Sequence, residues 1–312
     1  MPDCRNNPEE NLFGTVTEVQ RTHCRASVAH SEVQFHVPGR IIRDAGGKNP
    51  LRVGDRVLIG IRSGTLVLNT ILPRESKLTR TMDEHGSVRK RSELAVNLAL
   101  AMFVLPVTED SRLQTRRFRL LDRMLVGAQY AGINASICVN KLDLLEEQSG
   151  LDSMLQNYSK IDYPVLKTTA LTGEGIDALR RSLPAGLTAL VGPSGSGKTS
   201  IIRALTGLSN LTTLSVNTTT SKGRHATSSS KAYDLGNGCW VVDVPGLRSF
   251  GVDDVPPKEL ANHFREFEAH QGNCQDQFCT HVDNAGCAVK RAVNDNNIPS
   301  HRYESYLRMM VV

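Results

Sequence analysis

The sequence predicts an α/β protein in which a parallel sheet layered with helices follows a small β-barrel and precedes a helical, metal-binding tail. Three observations lead there. Residues 12–72 break into short β-like runs, GTVTEV, ASVAH, VQFHV, RVLIGI and TLVLNTIL, parted by Gly, Pro, Asn and Asp. Residues 91–253 alternate apolar runs with amphipathic helical stretches. Three of the seven cysteines crowd between positions 274 and 287.

Size and composition allow this organisation. A chain of 312 residues with 39% hydrophobic content can bury at least one large core and divide into two or three domains. The formal charge is +5, with basic residues gathered in SVRKR at 87–91 and SRLQTRRFRLLDR at 111–123. Such clusters suit a polyanionic partner, although solvated loop and helix faces look the same. No run approaches the roughly 18 apolar residues that span a bilayer, and the start MPDCRNNPEE lacks the basic and apolar regions of a signal peptide. The expectation is a cytoplasmic protein without membrane contact. In a reducing compartment the clustered cysteines point to metal ligation before disulfides.

Taken in order, residues 1–10 are polar, carry two prolines and read as a disordered tail. Residues 11–73 read as a barrel of the oligonucleotide-binding (OB) kind, with VGDRV as a tight turn; an SH3-like barrel would give the same pattern. Phe13 and Phe35 are the main candidates for base stacking there. Residues 74–90 form a basic linker, residues 91–253 the α/β core, and residues 254–312 a polar helical domain holding the cysteine cluster. Strands alternating with helices imply a parallel sheet covered on both faces, with ligands at the carboxyl ends of its strands.

The core carries a phosphate-binding loop. GPSGSGKT, residues 192–199, fits G-x-x-x-x-G-K-[ST] and lies between strand-like LTALV and helix-like TSIIRAL. The loop Gly192, Pro193, Ser194, Gly195, Ser196, Gly197 with Ser200 would surround the phosphates, chiefly through backbone N–H groups. Lys198 would reach the β and γ oxygens and Thr199 would ligate Mg²⁺. This loop does not choose between ATP and GTP. VNKLD, residues 139–143, reads either as a polar turn or as a guanine reader ending strand ASICV. In the second reading Asn140 tethers the loop, the stem of Lys141 covers the base, and Asp143 accepts from the guanine N1–H and exocyclic amine. Leaving such a carboxylate unpaired discriminates by around 10⁴–10⁵. KTTALTGEG follows, where a backbone N–H of Thr169 or Ala170 could meet the guanine carbonyl. DVPG, residues 243–246, offers Asp243 as a second-shell holder of Mg²⁺ and the Gly246 N–H for the γ-phosphate. Between them SKGRHATSSS reads as a switch loop or an ordinary surface loop.

The base reader therefore precedes the phosphate loop, the reverse of ordinary GTPases. Moving one half of the core behind the other preserves spatial neighbours if the old termini lay close together. The fold class expected is a circularly permuted P-loop GTPase core with an N-terminal OB-fold barrel and a C-terminal helical zinc-binding domain. In that last domain Cys274, Cys279, His281 and Cys287 make C-x₄-C-x-H-x₅-C, a Cys₃His set suited to one structural Zn²⁺, with free thiols or a redox pair as alternatives.

The barrel, the permuted order of VNKLD and GPSGSGKTS, the Cys₃His segment, and the GCAVKRAV and HRYESYLRMM stretches together resemble the bacterial RsgA (YjeQ) family from residue 12 to residue 310. The resemblance implies a monomeric GTPase that binds the 30S ribosomal subunit and its 16S rRNA during late maturation. It would hydrolyse GTP to GDP and phosphate with ribosome stimulation. It also implies an OB barrel on RNA and one zinc per chain. The family's switch reads G-x-H-T-T-T; here Ala226 replaces the first threonine, so Thr227, with Ser228 as fallback, is the expected Mg²⁺-sensing hydroxyl. Leu247 stands where Ras-like enzymes orient water with glutamine. By resemblance His225 positions or deprotonates that water, although a switch histidine could equally contact RNA or lie exposed.

Overall fold

The computed structural model of the chain describes residues 11–29, 31–82, 90–147, 149–208, 231–244, 252 and 255–311. The tail expected at residues 1–10 lies outside them. Strands β1 (Leu12–Val19), β2 (His23–Val28) and β3 (Ser31–His36), helix α1 (Gly39–Asp44), and strands β4 (Arg56–Arg62) and β5 (Thr65–Ile71) close a barrel in the order β1-β2-β3-β5-β4. Period-two alternation turns Val16, Ala26, Phe35, Val57, Ile59 and Leu68 inward, all at most 1% exposed. Phe35 is thus a core residue and cannot stack on a base, whereas Phe13 is 55% exposed on the barrel wall.

The described part of the stretch read as a linker, residues 74–82 and 90, is built into the structure. Strand β6 (Lys77–Met82) pairs antiparallel with β7 (Lys90–Val96) as a two-stranded ribbon. Just before it, Arg74 donates from Nε and Nη2 to the two oxygens of fully buried Asp55, each at 2.7 Å, and also pairs with Glu93 of β7. A bidentate pair of this kind fixes orientation as well as distance. Val96 N–H adds a bond to Val53 O at 3.0 Å, so the barrel is bolted to the chain that enters the core.

The core sheet contains β8 (Leu98–Pro106), β9 (Ala135–Asn140), β10 (Val165–Thr168), β11 (Gly186–Val191), β12 (Ala232–Asp234) and β13 (Cys239–Asp243) in the order β10-β9-β8-β11-β13-β12. All neighbours are parallel except the edge strand β12, which runs antiparallel to β13, a departure from the purely parallel sheet expected. Both faces are covered, which explains why β8 reads as continuous apolar sequence. Its Ala101, Phe103 and Leu105 pack under α2 (Ser111–Tyr130) and α3 (Ser149–Ser159), while Leu100, Met102 and Val104 pack under α4 (Ile176–Ser182) and α5 (Lys198–Thr206). Strand order reverses between β8 and β11, so the crevice for a ligand opens at their carboxyl ends.

Helices α6 (Arg265–Gln271), α7 (Ala288–Asn294) and α8 (Ser300–Met310) form a C-terminal module whose core takes in Val126 of α2. Polar groups lock this contact. Arg302 of α8, with no exposed surface, donates to Glu266 Oε1 at 2.6 Å and to Asp122 Oδ1 of α2 at 2.7 Å. Asp122 also accepts from Tyr158 at 2.8 Å and from Ser305. Removing one partner of such a buried network strands the others and costs about 3–5 kcal/mol.

Candidate functional site

Five segments emerge at the carboxyl edge of the core sheet, and one side chain joins three of them. Asn140, the last residue of β9 and 1% exposed, donates from Nδ2 to Ser196 O in the phosphate loop at 2.9 Å. Its Oδ1 accepts from Ala170 N–H and from Thr168 Oγ1, both at 3.1 Å. The loop after β9, the loop after β10 and the loop after β11 are therefore held together by a single primary amide.

Glycine makes that approach possible. Gly197 sits at φ +92°, and a Cβ there would lie 2.2 Å from Asn140 Nδ2 and 3.9 Å from Lys141 Cε. The stem of Lys141 thus runs beside the phosphate loop, its own backbone in the left-handed region at φ 68°. Asp143 follows in a short 3-10 turn, Leu142–Leu144, with its carboxylate exposed.

The phosphate loop, Gly192 to Ser200, wraps from β11 into α5, whose first turn presents backbone N–H groups and the positive end of the helix dipole. Lys198 is 8% exposed and folds back, donating from Nζ to Gly192 O at 2.9 Å and Pro193 O at 3.2 Å. Burial holds its ammonium below the usual lysine range, opposed by the nearby Asp243 charge. Asp243, at the end of β13, is raised by burial, opposed by Lys198 and by the Thr199 hydroxyl, which donates to its Oδ2 at 3.1 Å. A hydroxyl and a carboxylate side by side at the mouth of a phosphate loop are the hard-oxygen donors that Mg²⁺ takes, the first directly and the second through water.

The second base loop differs from expectation. Thr169 N–H donates to Glu174 O at 3.0 Å and Ala170 N–H is spent on Asn140, so neither amide is free for a guanine carbonyl. Leu171 is the next residue along and is 86% exposed, and its N–H has no partner among the described residues. Sequence reasoning also passed over Thr168, whose buried hydroxyl braces Asn140; a threonine ending a strand carries no signal of that role. His225, Thr227 and Gly246 lie outside the described residues.

In the C-terminal module the ligand atoms of Cys274, Cys279, His281 and Cys287 all lie within 4.8 Å of one another. His281 Nδ1 is 3.6 Å from Cys274 Sγ and 3.5 Å from Cys287 Sγ. Ala288 N–H points at Cys274 Sγ and Lys290 N–H at Cys287 Sγ, at 3.3 and 3.4 Å. Tyr303 and Tyr306 anchor the loop by donating to His281 O and Thr280 O. This cluster could hold a metal ion. His263 and His270 take no part in it.

Comparison with known proteins agrees with this geometry. A family profile described as RsgA GTPase matches residues 71–253. The chain is 35% identical over 266 residues to a Bacteroides fragilis protein named small ribosomal subunit biogenesis GTPase RsgA, covering 84% of both. It is equally 35% identical to a Gemmatimonas aurantiaca protein of the same name, over 87% of both chains. Among solved structures, YjeQ from Thermotoga maritima superposes with a TM-score of 0.72 at 26% identity, over 96% of this chain and 98% of that one. YloQ, described as a circularly permuted GTPase, shares the fold with a TM-score of 0.74 over 99% and 97% of the two chains, at 23% identity.

The Asn140 junction has a measurable consequence. Replacing it with alanine removes three buried hydrogen bonds, each worth about 0.5–1.5 kcal/mol net. Titration of Asn140→Ala with a fluorescent GDP analogue should show affinity lowered by about 10- to 1,000-fold. A loss below about threefold would mean that the amide does not unite the loops.

Proposed function

The chain belongs to the RsgA GTPase family, the GTP-hydrolysing enzymes of small ribosomal subunit biogenesis, and from that premise we propose that it acts as a timer on the 30S subunit. In its GTP form the monomer docks on 16S rRNA in the cytoplasm, the subunit orders the switch, and hydrolysis to GDP releases it. The observation that carries this reading is the Asn140–Ser196 bond, which sets a base-reading loop and a phosphate loop at one crevice.

Each residue then has a task at one nucleotide. Asp143 accepts the two guanine N–H groups, Lys141 covers the base, and the Leu171 N–H faces its carbonyl. Lys198 exchanges Gly192 O and Pro193 O for β and γ oxygens, which restores charge compensation to a desolvated ammonium. Thr199 and Asp243 hold Mg²⁺, joined by Thr227, and Gly246 N–H meets the γ-phosphate. An ion held there would supply positive charge to offset that developing on the phosphates. His225 orients or deprotonates the attacking water. With leucine at 247 instead of a water-orienting glutamine, hydrolysis without the subunit is slow.

The test is steady-state GTP hydrolysis with and without purified 30S subunits. Factors that complete a P-loop GTPase site contribute up to about 10⁵-fold, and stimulation above about tenfold is expected here. Stimulation should be lost in His225→Ala. Equal rates with and without the subunit would overturn the timer.

The Cys₃His cluster binds one structural zinc. Tetrahedral bonds of about 2.3 Å to sulfur and 2.0 Å to nitrogen require S···N edges of roughly 3.5 Å, in line with the 3.5 and 3.6 Å separations at His281. Four protein donors leave no position for a reacting water, and the ion organises a module with a small core. Native mass spectrometry should find one zinc per chain, and chelation should unfold residues 254–312 while GTP binding persists. A zinc-free chain with an intact module would refute the assignment.

A further inference from the structure

Helix α2 carries five arginines and one carboxylate, and the carboxylate, Asp122, is buried against Arg302. At 100° per residue Arg112, Arg116, Arg119 and Arg123 fall within about 60° of one another, in a line that rises roughly 1.5 Å per residue. The first three are exposed, and their guanidinium groups have no hydrogen-bond or ion-pair partner among the described residues; Arg123, half-buried, continues the line. Arg117 lies off the stripe, donating to Pro106 O at 2.8 Å.

The arrangement works against the helix that bears it. Like charges at i,i+4 repel, as Arg112 does Arg116 and Arg119 does Arg123. Cations near a helix amino end oppose its dipole, and the first turn of α2 holds no acidic residue to offset Arg112. The nearest carboxylates in sequence are engaged elsewhere, Asp110 capping Arg112 and Leu113 N–H and Glu109 accepting from Glu146 N–H. Three exposed arginines in line, with no side-chain partner among the described residues, mark a functional surface. Three exposed guanidinium groups in line suit a row of phosphates, each of which can be gripped in the planar, two-pronged fashion that lysine cannot offer.

We propose that the Arg112, Arg116 and Arg119 face of α2 is a contact surface for the RNA phosphate backbone, separate from the nucleotide crevice. It rests on the ribosomal reading above and names a second patch, outside the barrel, through which the chain meets the subunit. Each phosphate neutralised releases counterions, so the contact is read in the salt dependence of binding.

The full chain, loaded with a non-hydrolysable GTP analogue, is titrated against purified 30S subunits and against deproteinised 16S rRNA over about 50–200 mM salt. The R112Q/R116Q/R119Q variant should lower the slope of log K against log salt by about 2 to 3 for both, and the triple lysine variant should keep the slope. Hydrolysis without subunits should be unchanged, since none of the three belongs to the crevice. If the triple glutamine variant loses GTP binding, Arg116→Gln alone decides, with a slope change of about 0.7–0.9 expected. An unchanged slope on 16S rRNA overturns the proposal. Weakened binding to the subunit alone would also overturn it, since the stripe would then meet a ribosomal protein. If the unaltered chain binds neither, the ribosomal reading itself fails.

Discussion

The nucleotide crevice depends on one buried amide. Asn140 satisfies its donor and acceptor within three loops that are far apart in sequence. A hydrogen bond responds to distance and direction and is indifferent to chain connectivity. That is why VNKLD can be translated before GPSGSGKTS and still face it. The close approach of Gly197 removes any room for a side chain at the junction, so the glycine at 197 is required by Asn140 as well as by the turn into α5.

The permuted order also changes what strand β13 leads to. The chain leaving Asp243 runs into the C-terminal module, and that module is not a loose appendage. Arg302 binds Asp122 across 180 positions of sequence, with Glu266, Tyr158 and Ser305 completing its surroundings. Because α2 packs on β8 and α3 follows the base-reading loop, the module and the base-reading half of the core form one packed unit. Movement that begins at the metal-holding side would be transmitted against this fixed frame.

Much of this was legible in the sequence, for identifiable reasons. Motifs bound to backbone chemistry, the phosphate loop and VNKLD, could be placed because they demand particular residues at fixed spacing. The two-faced burial of β8 showed as an unbroken apolar run, and the metal cluster is local enough for spacing to reveal it. Features set by long-range partners were not legible. The Arg302 network, the Arg74–Asp55 clamp and the β6–β7 ribbon look like ordinary charged sequence until the chain is folded. Phe35 was read as a stacking platform because alternation gives a strand's period without saying which face is inside. The amides of Thr169 and Ala170 were offered to guanine because sequence cannot show that Glu174 and Asn140 already hold them.

The Asn140 junction makes one binding site out of two motifs if both ends of a single nucleotide meet there. The most direct measurement is a crystal or cryo-EM map of the chain with Mg²⁺ and a non-hydrolysable GTP analogue. It should show the guanine edge against the Asp143 carboxylate and, on the same molecule, the β- and γ-phosphates inside the 192–199 loop at Lys198. A base seated away from Asp143 while the phosphates occupy that loop would contradict the account.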